Sequence, residues 1–313
     1  MIYQIYGFNM VCSCFIEALQ EYISDVFDKE LPTVSASVVD HLGIDVVDGV
    51  KISGDYANAV FTNQVCQFHL FDGVELRIAP DNIMLSGECI HGKRVGEELN
   101  GPSIIVLSRY HKRAVLHGSA FLYNGKAYLV LAYPGAGKST LSTAMVMYHK
   151  DISFLTDDII CVEGNGKAMF RGIHSVNLND DSLHGLMMLS GNNSKVESCI
   201  GIDSTKTTCN MSLSDKEKNA NVIPLGGIFL LASPLTNGLI RIQRLDNMQS
   251  FCEIMRNIKM RTTMTSDLLM QEMNIINKMI QQDIFIVKLH IEHGYTKLEK
   301  ITNALREFID GNN

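Results

Sequence analysis

The clearest pattern of apolar and polar positions lies in the middle of the chain, at residues 126–148. Residues 126–132 form an apolar run of the length of a buried strand, and a glycine-rich turn at residues 133–137 ends it. Four residues then recur at the spacing of one helix face: Leu141, Ala144, Met145 and Tyr148. The pattern therefore predicts a strand, a tight turn and an amphipathic helix.

This arrangement is typical of a phosphate-binding site. We call it the phosphate cradle, and its residues are Pro134, Gly135, Ala136, Gly137, Lys138, Ser139 and Thr140. Glycines let backbone N–H groups turn toward an anion, while the helix N-terminus and the lysine add positive charge. The hydroxyl after the lysine can bind a phosphate-bound Mg²⁺. Ala132 replaces the first glycine of the GxxxxGK[ST] pattern, so a glycine-rich turn without a ligand remains the alternative.

Residues 1–98 show a different pattern of short apolar runs, at residues 2–8, 46–52, 58–65, 68–71 and 74–78. These runs predict a small antiparallel β-rich region with few helices. Asp72-Gly73, between the last two runs, indicates a two-residue hairpin turn. No recognisable group of catalytic or ligand-binding residues occurs here, so we expect a scaffold or a peptide-docking region. Residues 99–313 form the predicted second domain.

A strand is also predicted at residues 115–123, directly before the strand of the cradle. It ends at Asn124-Gly125, which indicates a type I′ turn and an antiparallel hairpin. The hairpin would carry His117 close to the bound phosphates. Two interpretations of His117 stay open: a phosphate-facing or proton-handling group, and an ordinary core histidine.

Two adjacent carboxylates, Asp157 and Asp158, interrupt the apolar run at residues 152–162. Neighbouring residues of a strand point to opposite faces, so both cannot be surface residues of a buried strand. A buried carboxylate needs a cation, a hydrogen-bond network or a bend that exposes it. Mg²⁺ bound by Ser139 and an aspartate at the end of the strand would meet this need.

The rest of the chain predicts an alternation of helices and strands. Helices are expected at residues 182–189, 248–258 and 269–280, and strands at 222–231, 239–245 and 284–291. Thr296 and Glu299 have the spacing of a capping box before a closing helix. Residues 190–221 are polar and lack periodicity, which indicates a disordered segment or a lid. None of its charged residues is favoured as a substrate contact, including Asp203, Lys206 and Lys216.

Composition narrows the class of protein. Hydrophobic residues make up 46% of the 313 residues and charged residues 19%, which allows a large core. A formal charge of −7 argues against a nucleic-acid partner. Eight cysteines without a CxxC pair are typical of reduced thiols, and no apolar run reaches about 18 residues. We expect a cytoplasmic protein that does not enter a membrane, and the oligomeric state stays open, a homo-oligomer included.

Three motifs occur in a fixed order: Leu116-His117-Gly118, residues 134–140, and Leu155-Thr156-Asp157-Asp158. Together they resemble the kinase domain of HPr kinase/phosphorylase, whose fold is similar to that of phosphoenolpyruvate carboxykinase, over about residues 100–310. With Tyr6-Gly7-Phe8 ahead of the β-rich region, the layout is also similar to the HPr-kinase-like enzymes encoded beside lasso peptide biosynthesis genes. Those enzymes are associated with phosphorylating a serine of the precursor peptide. The resemblance implies an α/β fold with a mixed sheet and a P-loop kinase domain.

The resemblance also implies a role for each matching residue. Lys138 and the cradle backbone would hold the phosphates of ATP, and Ser139 would bind Mg²⁺. Asp157 would support the metal or its waters. Asp158 would take the proton from a substrate serine, and His117 would lie by the transferred phosphoryl group.

One position departs from the bifunctional enzymes. They carry a glutamate two residues before an Arg-Gly that resembles Arg171-Gly172, and here that place is Met169. The departure argues against phosphorylase activity and against HPr as the substrate. Asp180 or Asp181 is the alternative metal ligand.

The sequence thus predicts an ATP- and Mg²⁺-dependent kinase that acts on a serine of a peptide or protein. One rival is a regulator that binds a nucleotide without transferring a phosphoryl group. The other is a carboxykinase-like enzyme acting on a small organic acid. That enzyme would need more metal ligands and a cluster of arginines, for which the chain offers mainly Arg109, Arg113 and Arg171.

Overall fold

The computed structural model describes residues 1–25, 27–43, 46, 48–53, 57–87, 93–190, 195–201, 206–212, 221–235, 240–261 and 264–312. The chain forms two compact units. The first comprises Met1–Val115 and Lys259–Ile275, and the second comprises Leu116–Ile258 and Ile276–Asn313. The predicted boundary between residues 98 and 99 falls within the first unit. Among the described residues, no helix has the length and apolar character needed to cross a membrane.

The first unit is built on a mixed β-sheet. Its strands are β1 (Ile2–Ile5), β2 (Phe8–Cys12), β3 (Thr33–Val38), β4 (Val50–Ser53), β5 (Ala57–Phe61), β6 (Cys66–Leu70), β7 (Glu75–Ala79) and β8 (Asn82–Ser86). Their order is β1-β2-β3-β8-β7-β6-β5-β4. The prediction of a purely antiparallel region was wrong, because β3 runs parallel to both β2 and β8. The long connection from β2 to β3 contains the 3₁₀ helix Glu17–Tyr22, and parallel neighbours require such a crossover.

The opening apolar run contains two strands rather than one. Tyr6 and Gly7 have φ angles of 49° and 70° and form the turn between the paired residues Ile5 and Phe8. Arg113 donates from Nη1 to the Tyr6 carbonyl at 2.6 Å and from Nη2 to the Gly7 carbonyl at 2.8 Å. The Tyr6 side chain is itself buried, so the apolar run continues through the turn and conceals it.

The predicted hairpin at Asp72-Gly73 is confirmed, but its turn is longer than two residues. The Leu70 N–H donates to the Val74 carbonyl at 2.8 Å, which leaves three residues between them. The Asp72 carboxylate accepts the Val74 N–H at 3.2 Å, and Gly73 has a φ of 87°. The hydrogen bond from Val74 to Asp72 lies within this three-residue loop and stabilises it.

After these strands the first unit contains α1 (Lys93–Glu98), a π-helical segment (Leu99–Ser103) and α2 (Ile104–Tyr110). β9 (Ala114–Leu116) begins in the first unit and ends in the second. Helix α2 buries an ion pair: Arg109 Nε donates to Glu272 Oε1 at 3.0 Å, and both side chains are almost inaccessible to solvent. The same carboxylate oxygen accepts the Val115 N–H at 3.0 Å.

The second unit has a mixed sheet and helices. In chain order, its elements are β10 (Gly118–Tyr123), β11 (Lys126–Leu131), α3 (Lys138–Tyr148), β12 (Ser153–Asp157), β13 (Ile160–Val162), β14 (Ala168–Phe170), β15 (Ser175–Asn179), α4 (Asp180–Ser190), β16 (Val196–Gly201), β17 (Lys206–Met211), β18 (Val222–Leu231), β19 (Ile240–Arg244), α5 (Asn247–Met255), α6 (Ser266–Ile280), β20 (Phe285–Ile291) and α7 (Leu298–Asp310). Helix α6 begins in the first unit. The α/β class with a mixed sheet, predicted from the sequence, is confirmed.

The large sheet of this unit contains the order β12-β10-β11-β18-β14-β13, and β20 lies between β18 and β19. Strands β11, β18 and β20 run parallel. Asn124 and Gly125 have φ angles of 50° and 74° between the paired residues Tyr123 and Lys126, so the predicted type I′ hairpin is confirmed. Helix α3 buries Leu141, Ala144 and Met145. The turn that contains the phosphate cradle thus joins the end of β11, an inner strand of the sheet, to the start of α3.

The polar segment at residues 190–221 was predicted as disorder or a lid. Disorder was wrong for the part of it that the structure describes, and a lid stays a prediction. Strands β16 and β17 form an antiparallel sheet with β15. Cys209 and Met211 are buried on one face, and Thr208 and Asn210 are partly exposed on the other. Because the outward-facing residues of β17 are polar and the buried ones are few, the alternation was not recognised in the sequence. Lys206 is exposed in β17, whereas Asp203 and Lys216 lie outside the described residues.

The predicted capping box at Thr296 and Glu299 was also wrong. A 3₁₀ turn, Tyr295–Lys297, leads directly into α7, whose first residues have no side-chain cap. A capping box does occur at α5. There the Asp246 carboxylate accepts the Gln249 N–H at 2.7 Å, and the Gln249 side chain accepts the Asp246 N–H at 3.3 Å.

Candidate phosphate-binding and catalytic site

The phosphate cradle has the backbone conformation that its glycines allow. Gly135 and Gly137 have φ angles of 79° and 93°, and a Cβ atom at either position would meet no heavy atom within 4 Å. The space beside these glycines is therefore open. Lys138 begins α3, and its Nζ donates to the Tyr133 carbonyl at 3.3 Å, so the ammonium folds back over the turn.

Ser139 and Asp157 are in direct contact. Ser139 Oγ donates to Asp157 Oδ1 at 2.9 Å, and the Asn177 N–H donates to Asp157 Oδ2 at 3.3 Å. The pairing of Ser119 in β10 with Asp157 in β12 places this carboxylate at the end of its strand. Burial raises the pKa of the Asp157 carboxyl to about 6, although the two hydrogen bonds favour its charged form.

These two oxygens fit a shared Mg²⁺. Adjacent ligands of an octahedral ion at 2.0–2.1 Å are separated by about 2.9 Å. The Ser139 and Asp157 oxygens are 2.9 Å apart. Oxygen donors of this kind are those that Mg²⁺ prefers, and a cation would offset the burial of the Asp157 charge.

Asp158 points elsewhere because the strand bends at this residue. Its φ of 68° separates β12 from β13, and half of its side chain is exposed. The sequence predicted that the adjacent carboxylates need a cation, a hydrogen-bond network or a bend. The structure shows a hydrogen-bond network at Asp157 and a bend at Asp158. A buried carboxylate beside Ser139 and an exposed one at the bend can serve different roles.

His117 contacts the exposed carboxylate. Its Nε2 atom lies 3.1 Å from Asp158 Oδ1. The predicted continuous strand at residues 115–123 is interrupted at His117, whose N–H donates to the Asn257 carbonyl at 2.6 Å. At Gly118 a Cβ atom would lie 2.9 Å from the Val130 carbonyl oxygen and 2.5 Å from the Leu131 side chain, so a larger residue would force these neighbours to shift.

Two other candidate ligands have different surroundings. Asp180 accepts a hydrogen bond from the Thr207 hydroxyl at 3.2 Å, and Asp181 is exposed in the first turn of α4. Met169 is buried in β14. A role of Asp180 or Asp181 as a further metal ligand stays a prediction.

Two of the three arginines considered for a carboxykinase-like site have structural partners. Arg109 pairs with Glu272, and Arg113 binds the Tyr6-Gly7 turn while its guanidinium lies 4.0 Å from the centre of the Phe8 ring. Both of these arginines belong to the first unit and are buried. Their contacts argue against a role of Arg109 and Arg113 in an anion-binding cluster.

The structure also joins residues that the sequence did not connect. Thr140 Oγ1 donates to Ser182 Oγ at 3.2 Å, and Ser182 Oγ lies 3.1 Å from the Tyr295 hydroxyl. The only signal available was Asn179, which can cap α4 and so place Ser182 in its first turn. Nothing in the sequence pointed to Tyr295, which is 113 residues from Ser182.

Comparison with known proteins adds little to this geometry. No protein-family description and no curated protein matches the chain. Among solved structures, the chain is similar to the HPr(Ser) kinase/phosphatase from Coxiella burnetii, at 12% sequence identity and a TM-score of 0.30. The similarity covers 63% of this chain and 99% of that chain. A likeness at this level carries no argument about function.

Proposed function

We propose that this chain is an ATP- and Mg²⁺-dependent kinase that phosphorylates a serine hydroxyl of a peptide or protein. The observation that carries the proposal is the convergence of three separate stretches of chain on the cradle. Ser139 lies 2.9 Å from Asp157, and the adjacent Asp158 lies 3.1 Å from His117. A glycine turn with a lysine, residues that can hold Mg²⁺ and a carboxylate that can accept the proton of the attacking hydroxyl are parts that phosphoryl transfer uses.

The cradle would bind the phosphates of the nucleotide. Backbone N–H groups of the turn, the start of α3 and the Lys138 ammonium would supply the positive charge that attracts the phosphates. Ser139 and Asp157 would hold Mg²⁺, which when bound neutralises the charge of the phosphate oxygens.

Asp158 would receive the acceptor. As the serine oxygen attacks the γ-phosphorus, the bond from phosphorus to the bridging oxygen breaks and ADP leaves. The serine proton would pass to the Asp158 carboxylate, which is exposed enough to meet a substrate. His117, with Nε2 at 3.1 Å from this carboxylate, would lie next to the transferred group.

The acceptor that we propose to test first is a ribosomally made precursor peptide containing serine. This choice rests on the similarity of layout to the kinases encoded beside lasso peptide genes. Mass spectrometry would follow a gain of about 80 Da after incubation with ATP and Mg²⁺. Neighbouring genes that encode a short peptide would name the candidate.

The deciding experiment is Asp158→Asn. A kinase with this change should keep its ATP affinity and lose phosphorylation by about 10²-fold to 10⁴-fold, the usual contribution of a general base. Asp283→Asn, which changes an exposed aspartate of the same unit, is the matched control and should be fully active. A protein that binds ATP but phosphorylates no peptide, and whose biological output survives Asp158→Asn, would be the nucleotide-binding regulator instead.

A further inference from the structure

Three hydroxyl groups form a connected chain that begins in the phosphate cradle. They belong to Thr140 in α3, Ser182 in α4 and Tyr295 before α7, and the two links measure 3.2 Å and 3.1 Å. Ser182 is 5% exposed, so its hydroxyl depends on these partners rather than on water. The serine kinase proposal uses none of these contacts.

The positions of Ser182 and Tyr295 are fixed by their surroundings. Asn179 Oδ1 accepts the Ser182 N–H at 2.7 Å and so anchors the first turn of α4. One turn further, the Tyr295 ring lies against Gly185, where a Cβ atom would be 2.5 Å from the ring. Glycine is thus required at residue 185 for the ring to occupy this place.

The neighbouring hydroxyls of the cradle have different partners. Ser139 faces Asp157, where the metal would be held, whereas Thr140 faces Ser182. In a cradle of this type the backbone N–H groups surround the α- and β-phosphates, the lysine reaches the β- and γ-phosphates, and the hydroxyl after the lysine binds the metal. Thr140 has a partner other than the metal-binding pair, so in a bound nucleotide its hydroxyl would serve the α-phosphate.

The hydroxyl chain can deliver a proton donor to that phosphate. Each hydroxyl donates one hydrogen bond and can accept others. In the arrangement seen here Thr140 donates to Ser182. If Tyr295 donates to Ser182 and Ser182 donates to Thr140, the Thr140 proton is free to point at a phosphate oxygen.

We infer that Ser182 and Tyr295 are positioning residues for the nucleotide, which turn the Thr140 hydroxyl toward the α-phosphate through this chain of hydrogen bonds. The inference rests on the proposed nucleotide site and extends it. ATP, ADP and AMP share the α-phosphate, so the contribution should be the same for all three.

Tyr295→Phe tests the inference, because it keeps the ring against Gly185 and removes only the terminal hydroxyl. We expect the dissociation constants of ATP, ADP and AMP, measured by calorimetry, to rise together by about threefold to tenfold, the effect of one hydrogen bond. Ser182→Ala should act similarly. Tyr123→Phe is the matched control, since Tyr123 donates to Asp310 at 2.9 Å in the same unit and should bind nucleotides as the unchanged protein does.

A double variant shows whether Tyr295 affects nucleotide binding through Thr140 or only stabilises the fold. Once Thr140→Val has removed the hydroxyl at the phosphate, adding Tyr295→Phe should weaken binding no further. A merely structural hydroxyl would lower the melting temperature and leave all three affinities unchanged, which would overturn the inference. An effect confined to ATP would also overturn it, because the contact would then be with the γ-phosphate. If the unchanged protein binds no nucleotide, the proposed function itself fails.

Discussion

Gly137→Ala should have a small effect on the stability of the protein and a large effect on its affinity for nucleotide. Gly137 has a φ of 93°, a conformation that residues with a Cβ atom adopt at a penalty of about 1–2 kcal/mol. A Cβ atom there meets nothing within 4 Å, so no clash adds to this penalty. For a domain of about 150–250 residues, each kcal/mol corresponds to roughly 2–4 °C, so the melting temperature should fall by about 2–8 °C.

The effect on nucleotide binding should be much larger than this modest strain suggests. The added methyl group would occupy the open space beside the turn, where the backbone N–H groups meet the phosphates. Displacing one hydrogen bond to a charged phosphate is worth about 1.5–3 kcal/mol, which is roughly a tenfold to hundredfold loss of affinity. Calorimetric titration with Mg²⁺-ATP measures this loss directly.

Gly125→Ala supplies the control because it has a similar backbone and a different place. Gly125 has a φ of 74°, is equally open, and lies in the turn at the other end of β11. It should lose the same few degrees of melting temperature and keep its full affinity for ATP. Equal ATP affinities for the two variants would refute the assignment of residues 134–140 as the phosphate site.

Three further predictions concern the framework. Asp246→Ala should lower the free energy of unfolding by about 0.5–2 kcal/mol because it removes a capping box, whereas Thr296→Ala should change it by less than about 0.5 kcal/mol. Urea denaturation measures both changes, and a larger loss for Thr296→Ala would contradict the placement of the capping box at Asp246. Glu272→Gln should lower it by about 3–5 kcal/mol, since it leaves the buried Arg109 charge unpaired, and a loss below about 1 kcal/mol would show that Glu272 is neutral in the fold. Burial lowers the pKa of His149, so protonation favours the unfolded chain, and stability should fall as the pH drops below about 6.5. His149→Gln should reduce the fall in melting temperature between about pH 7.5 and about pH 5.5. An equally large fall in the variant would contradict this prediction.

Periodicity predicted the elements whose apolar residues face one packed side. The strand at Val222–Leu231 and the helix at Lys138–Tyr148 match their predicted positions, because the sheet core encloses the first and Leu141 and Met145 mark the inner face of the second. The Asn124-Gly125 turn was equally predictable, since two consecutive positive φ angles restrict the residues that can occupy it.

The errors have local physical causes. A buried tyrosine in the Tyr6-Gly7 turn made two strands look like one. The polar outer face of β17 masked the buried Cys209 and Met211. The break at His117 depends on a hydrogen bond to the Asn257 carbonyl, 140 residues away, which no local pattern could reveal.

The candidate site was predictable in composition but not in its contacts. Spacing and residue type identified Ser139, Asp157, Asp158 and His117 as candidates. Which aspartate would face the serine depends on the bend at Asp158, a conformation with φ of 68° that residue type alone does not specify. The link to Tyr295 required the fold.

The discontinuous first unit has a consequence for how the protein is made. Its Lys259–Ile275 segment, which supplies Glu272 as the partner of buried Arg109, leaves the ribosome long after Val115. At typical rates of synthesis the delay is on the order of ten seconds, during which Arg109 of α2 has no Glu272 to pair with. The first unit therefore reaches its final stability only after this late-translated segment has emerged.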